Sequence, residues 1–222
     1  KLDRCVGFQD SELWYWHRNK VDPLPIHLQP RSREFTALSR LHKWWRAAVM
    51  SDLHQLGVLR NSYWSYCESE TNHDTIAECP IELDSIPGMR DNMHAFMAQA
   101  PYFADELSQD DRNNHSINVD RFFMDSYCNI VLETMFDYDQ SDGVLLSEKT
   151  FKPIKHGQMF FIVGAAGSLQ VLRDLGYRTF DSVLDNSYDL EHNNTLRWQK
   201  LRAAIVQAQS QGLHQLFEQA LP

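Results

Sequence analysis

Glycine and cysteine are both scarce in this 222-residue chain, with nine glycines and four cysteines. Cys5, Cys67, Cys79 and Cys128 are scattered without a Cys-x-x-Cys pair, which argues against a zinc knuckle or a disulfide scaffold and leaves reduced, buried thiols as the plain reading. The few glycines never form the Gly-x-Gly-x-x-Gly of a dinucleotide site, a P-loop or a Gly-x-Ser-x-Gly nucleophile elbow. Ten histidines include no His-Glu-x-x-His spacing, so no metal site is expected. No apolar run reaches the roughly 18–20 residues of a membrane helix, and the N-terminus lacks the basic, apolar, small-residue order of a signal peptide. A cytoplasmic, soluble protein with no membrane span is therefore the expectation. Positive charge is also in short supply: 21 Lys and Arg face 30 Asp and Glu, for a net −9, which disfavours broad binding to nucleic acid.

What is present is 43% hydrophobic and 12% aromatic, enough for a real core. The charge is unevenly spread: residues 1–67 carry +4, residues 68–142 carry −14 and residues 143–222 carry +1. Residues 1–33, with Pro23, Pro25 and Pro30, read as an irregular lead-in before a single domain over 34–222. Strands are predicted at Glu34–Leu38 and Tyr63–Cys67, joined by a helix over 41–56 that Gly57 closes. An acidic excursion follows at 68–120, broken by prolines; it is expected to be largely solvated, with a short helix at Asp91–Gln99. Tyr127–Thr134 is a near-continuous apolar run of the buried parallel kind. Ser147 then caps a helix to Lys155, which Pro153 should bend or shorten. A strand at Met159–Val163, a tight Gly164–Gly167 loop, a helix at Ser168–Leu175, a strand at Tyr177–Phe180 and amphipathic helix over Leu190–Ala220 complete the order. The alternation predicts an α/β, Rossmann-like parallel sheet with helices on both faces.

In such sheets ligands sit at the carboxyl ends of the strands. Arg40, His42, Lys43 and Arg46 cluster at one helix start, where free N–H groups favour a phosphate; a solvated basic helix face is the plain alternative. At a second helix start, Glu148 is placed to accept the two hydroxyls of a ribose while Lys149 and Lys152 neutralise a diphosphate. Early Glu and late Lys are equally the ordinary dressing of a helix dipole. Gly164 opens a loop that lets backbone approach a ligand, or simply a tight turn. Glu133, ending an apolar run, is either an active-site carboxylate or the first residue past its strand. If buried it needs partners.

Taken together, Ser147-Glu148-Lys149-Thr150-Phe151-Lys152-Pro153-Ile154, His156-Gly157-Gln158, Gly167-Ser168-Leu169, Leu175-Gly176-Tyr177-Arg178-Thr179-Phe180 and Tyr188-Asp189 resemble the C-terminal half of GT-B glycosyltransferases, specifically the fucosyltransferase-like group. The likeness spans about 45 residues, with a weaker echo over Phe35–Tyr66. There the group's Arg-x-His-Arg-like helix start is replaced by Lys43-Trp44-Trp45-Arg46. The resemblance implies that Glu148 holds a donor ribose and that Lys149 and Arg46 hold the diphosphate, with Lys43 and Lys152 in support. It also implies metal-independent, inverting transfer of a fucose-like sugar to a glycan or other hydroxyl acceptor. No cofactor is needed beyond the nucleotide-sugar co-substrate. Such enzymes take their carboxylate base from an acceptor-binding half; Glu133 is the candidate catalytic residue here, with Glu12 as a second. This chain supplies one Rossmann-like half plus a short lead-in, which leaves three readings open: a fragment of a longer enzyme with a separate N-terminal acceptor domain, of which 1–33 would be a remnant, a minimal variant, or a donor-binding module without catalysis. The alternative is a non-catalytic interaction domain on the same fold, using the acidic middle as its contact surface.

Overall fold

A computed structural model of the chain describes residue 26 and residues 28–67, 75–104, 120–137 and 143–221. Along the chain these form β1 (Arg33–Ser39), α1 (Trp44–Gln55), β2 (Ser62–Tyr66), α2 (Met89–Met97), α3 (Asp120–Met124), β3 (Ser126–Leu132), α4 (Glu148–Lys155), β4 (Met159–Val163), α5 (Ser168–Asp174), α6 (Asn194–Gln211) and α7 (Leu213–Ala220). The four strands are all parallel, in the order β2-β1-β3-β4. This is the expected Rossmann-like α/β architecture.

The order fixes where a ligand crevice falls. From β1 the chain steps outward through α1 to β2; from β3 it steps the other way through α4 to β4. Right-handed crossovers place α1 and α4 on opposite faces of the sheet. The order therefore reverses between β1 and β3, and the carboxyl ends of those two strands flank a topological switch point.

Burial follows from this position. All seven residues of β3 and all five of β4 are buried. Although β4 ends the order, its backbone is not left bare: Ile162 N donates to the fully buried Tyr188 hydroxyl at 3.0 Å. Helix α1 is buried from Trp45 to Asp52 and beyond, not along one stripe, because other helices also lie against it. On α6, Trp198 Nε1 donates to Asp52 Oδ2 at 3.0 Å and Arg202 pairs with the same oxygen at 3.1 Å. Tyr127 of β3 meets α7 through His214 Nδ1 at 3.0 Å and the Phe217 ring.

Several expectations change on contact with the structure. Helix α1 starts at residue 44 because Lys43 is extended, leaving 40–43 as the loop that leaves β1. Ser147 does cap α4, accepting from Lys149 N at 3.4 Å. Pro153 does not interrupt that helix, which ends two residues later. The long C-terminal helix is split at Gly212, whose φ of +87° ends α6. Tyr177–Phe180 is not a strand. Phe180 has φ +63°, and Thr179 and Asp181 are drawn into a side-chain network with Arg173, so the segment does not pair with the sheet.

The acidic excursion is not simply solvated either. Within 75–104, Ile81, Leu83, Ile86, Met89, Met93 and Phe96 are buried in the main core, and α2 packs on α1. Among the described residues, Glu78, Glu82, Asp84 and Asp91 are exposed on the outside of this apolar layer. Among the described residues no helix is long and apolar enough to cross a membrane. Cys67 and Cys128 are buried and Cys79 is partly buried, and burial raises the pKa of both Cys79 and Cys128.

Candidate functional site

At the end of β3 the chain leaves the core on Glu133, whose side chain is fully buried. A buried carboxylate requires donors, and four converge on it. Oε1 accepts from Ser147 N at 3.0 Å and Thr150 Oγ1 at 2.6 Å; Oε2 accepts from Thr134 N at 3.0 Å and Ser147 Oγ at 2.7 Å. Both oxygens are filled, so Glu133 clamps the first turn of α4 to the end of β3. A general base must reach the proton that it removes. Here that carboxylate faces inward.

Arg46 is also turned inward. Its guanidinium donates to the carbonyls of Leu41 at 3.1 Å, Leu132 at 3.3 Å and Glu133, tying the loop after β1 to the end of β3 across the switch point. Burial pushes its pKa down to about 10, with Glu133 and then Glu148 partly opposing, so it stays charged at neutral pH. The resemblance places it on a diphosphate; in the structure its guanidinium bonds to loop and strand-end carbonyls. Arg197 does the same at the end of β4, donating to the Gly164 carbonyl at 3.1 Å and to Phe136 O at 2.6 Å.

With the frame held this way, the first turn of α4 presents charge at the mouth of the crevice. Lys149 Nζ donates to Thr134 Oγ1 at 3.2 Å, Ser147 Oγ at 3.1 Å and Glu148 Oε1 at 3.3 Å, with 31% of its side chain exposed. Glu148 is 16% exposed. Burial alone would raise its pKa, but Lys149 and Lys152 outweigh burial and the net direction is down, so it is a carboxylate. Lys152, partly buried one turn on, has its pKa lowered by burial, opposed by Glu148 and reinforced by Lys149 and Arg40.

The two helix starts singled out from the sequence are therefore neighbours. Arg46 feels Glu148 and Arg40, and Lys152 feels Arg40, although Arg40 precedes α1 and Lys152 lies on α4. Glu148, Lys149 and Lys152 come together with Arg40 beside them. Lys43 is the residue preceding α1, its carbonyl accepting from Ala47 N at 3.0 Å. Gly164 is a packing position: a Cβ there would lie 3.2 Å from Glu133 Cβ and 3.2 Å from Ile162 Cγ2. Glu12 lies outside the described residues.

The hydroxyl ring around Glu133 was not recognised in the sequence. Ser147 was legible as a cap, and Thr150, three residues on, stands on the same side of the helix. Among the described residues no group of His, Cys, Asp and Glu is arranged to hold a metal ion. Comparison of the chain with protein-family models, curated proteins and solved structures finds no match. Fold and site geometry therefore define a Rossmann-like α/β domain with a carboxylate and several cations at its switch point.

Proposed function

We propose that this domain binds a nucleoside-diphosphate sugar and serves as the donor half of a glycosyltransferase. The observation that carries the proposal is the juxtaposition of an ionised Glu148 with Lys149, Lys152 and Arg40 at the switch point of a parallel sheet. A ribose offers two hydroxyl donors to a carboxylate, and a diphosphate needs cations within a few ångströms. Both demands meet on one helical turn. The resemblance of residues 147–189 to fucosyltransferase-like GT-B enzymes supports the same reading.

In this reading Glu148 orients the ribose, and Lys149 and Lys152 stabilise the departing nucleoside diphosphate as the acceptor hydroxyl attacks the anomeric carbon. Glu133 and Arg46 are positioning residues that hold α4 and the loop after β1 in place. The closed state of Glu133 favours a base supplied from an acceptor-binding half, and it equally suits a second reading, a donor-binding fold without turnover. Calorimetric titration with guanosine, uridine, adenosine and cytidine diphosphates tests the proposal. Saturable binding of at least one, weakened about 10–100-fold in Lys149→Ala by loss of a charge-assisted hydrogen bond, is expected. Binding of none refutes it.

A further inference from the structure

The ammonium of Lys149 carries three N–H donors, and all three are engaged within the protein. Nζ donates to Thr134 Oγ1 at 3.2 Å, Ser147 Oγ at 3.1 Å and Glu148 Oε1 at 3.3 Å. A phosphate oxygen can therefore take an N–H from this ammonium only by displacing one of the three acceptors. They are not equally held. Ser147 Oγ gives its own proton to Glu133 Oε2 at 2.7 Å and also accepts from Lys149 N at 3.4 Å, so its proton and both lone pairs are in use and the clamp around Glu133 locks it. Thr134 is anchored at the end of β3, its backbone N–H donating to the same carboxylate at 3.0 Å. Glu148 is different. None of the four bonds that fill Glu133 runs through it, it stands at the mouth of the crevice with 16% of its side chain exposed, and its bond to Lys149 is the longest of the three. The Glu148 bond is the one that a ligand releases.

Release is favourable only when both sides of the broken bond find new partners. A diol alone draws Glu148 away and leaves Lys149 one acceptor short. A diphosphate alone must compete with the carboxylate for the N–H and leaves Glu148 without that donor. In each case a partly buried charged group loses a charge-assisted hydrogen bond, and that loss offsets the bond gained. When a diol and a diphosphate arrive on one molecule, the hydroxyls satisfy Glu148 as the phosphate oxygens satisfy Lys149. Neither group is then left short.

We propose that the Glu148–Lys149 pair is a latch that opens to a ribose diol and a diphosphate together, so that the site selects nucleoside diphosphates against nucleosides and against inorganic pyrophosphate. The inference rests on the donor-site reading, which assigns the two groups to these residues, and adds that their recognition is coupled. The test is calorimetric titration of the intact chain, Glu148→Gln, Lys149→Ala and the double variant with the four nucleoside diphosphates, their nucleosides and inorganic pyrophosphate. Gln keeps the shape of the side chain and removes the charge that holds Lys149. Glu148→Gln should bind the nucleoside diphosphate about 10-fold more weakly and pyrophosphate about 3–10-fold more tightly, whereas a merely structural loss would weaken both. Plain relief of repulsion by the lost carboxylate is the same with and without Lys149. The latch therefore requires a pyrophosphate gain at least about 3-fold larger with Lys149 present than in the Lys149→Ala background. No saturable binding of any nucleoside diphosphate to the intact chain would refute the donor-site reading and the latch with it. Where a nucleoside diphosphate does bind, pyrophosphate affinity unchanged or reduced in Glu148→Gln, or a gain that is the same in both backgrounds, would overturn the latch and leave the donor site standing.

Discussion

Replacing Glu133 with Gln removes a charge while keeping the shape, and the four donors around the carboxylate set the cost. If the amide oxygen takes the place of Oε1, it keeps Ser147 N and Thr150 Oγ1. The new NH2 then faces Thr134 N and Ser147 Oγ. The serine hydroxyl can rotate and accept; the backbone N–H of Thr134 cannot. One orphaned N–H costs roughly 1–3 kcal/mol, and the surviving bonds weaken because they no longer end on a charge. Arg46, buried beside Glu133, also loses its largest electrostatic support. The sum is about 2–4 kcal/mol, a large part of the roughly 5–15 kcal/mol that holds a domain folded. Urea unfolding reads this directly: at a slope of about 2 kcal/mol/M the midpoint falls by about 1–2 M with the slope unchanged. Glu133→Ala, which leaves all four donors unmatched, should lose more. A midpoint for Glu133→Gln within about 0.25 M of wild type would refute the clamp, since at that slope it is about 0.5 kcal/mol.

Two further outcomes follow from the same frame. His156 is fully buried and stacked on Phe123, and burial lowers its pKa to about 4 against the partial support of Asp120 at 3.2 Å. The unfolded chain takes up that proton near pH 6.5 and the folded chain only near 4, so stability present above about pH 6.5 is lost on acidification through that window, by up to about 3 kcal/mol. His156→Phe should flatten the fall of the urea midpoint between about pH 7 and about pH 4.5; an unchanged slope would remove His156 as its source. Gly164→Ala places a methyl 3.2 Å from both Glu133 Cβ and Ile162 Cγ2, and should cost about 1–3 kcal/mol by overpacking. Gly164 is not among the residues with positive φ, so that loss comes from packing and not from backbone strain. Thermal unfolding checks it, and a variant as stable as wild type would show that β4 and Glu133 can part.

Much of this fold was readable from local pattern. The apolar runs at β3 and β4, the Ser147 cap and the Gly57 and Gly176 stops depend on neighbours a few residues away, and they fall within a residue or two of expectation. What was not readable depends on contacts far apart in the chain. Arg46 at a helix start looks like a cation waiting for a ligand, yet its carbonyl partners at Leu132 and Glu133 lie more than eighty residues on. Tyr177-Arg178-Thr179-Phe180 has strand-like composition, but Thr179 bonds to Arg173 and the neighbouring Phe180 turns left-handed. The acidic excursion shows the same limit from the other side. Its net charge suggested a solvated segment, whereas six apolar side chains spaced among the acids fill the layer over α1. At the site, the residue types at Glu148, Lys149 and Lys152 were legible, while the nearness of Arg40 required the sheet order.

The most direct test of the donor-site proposal is calorimetric titration of the intact chain and of Lys149→Ala with the four nucleoside diphosphates. Lys149 is partly exposed, so the variant should fold and isolate the charge. The arrangement at Glu148, Lys149 and Lys152 requires one nucleoside diphosphate to bind saturably and to lose about 10–100-fold in affinity in the variant. No binding of any of the four, or equal affinity in both proteins, would contradict it.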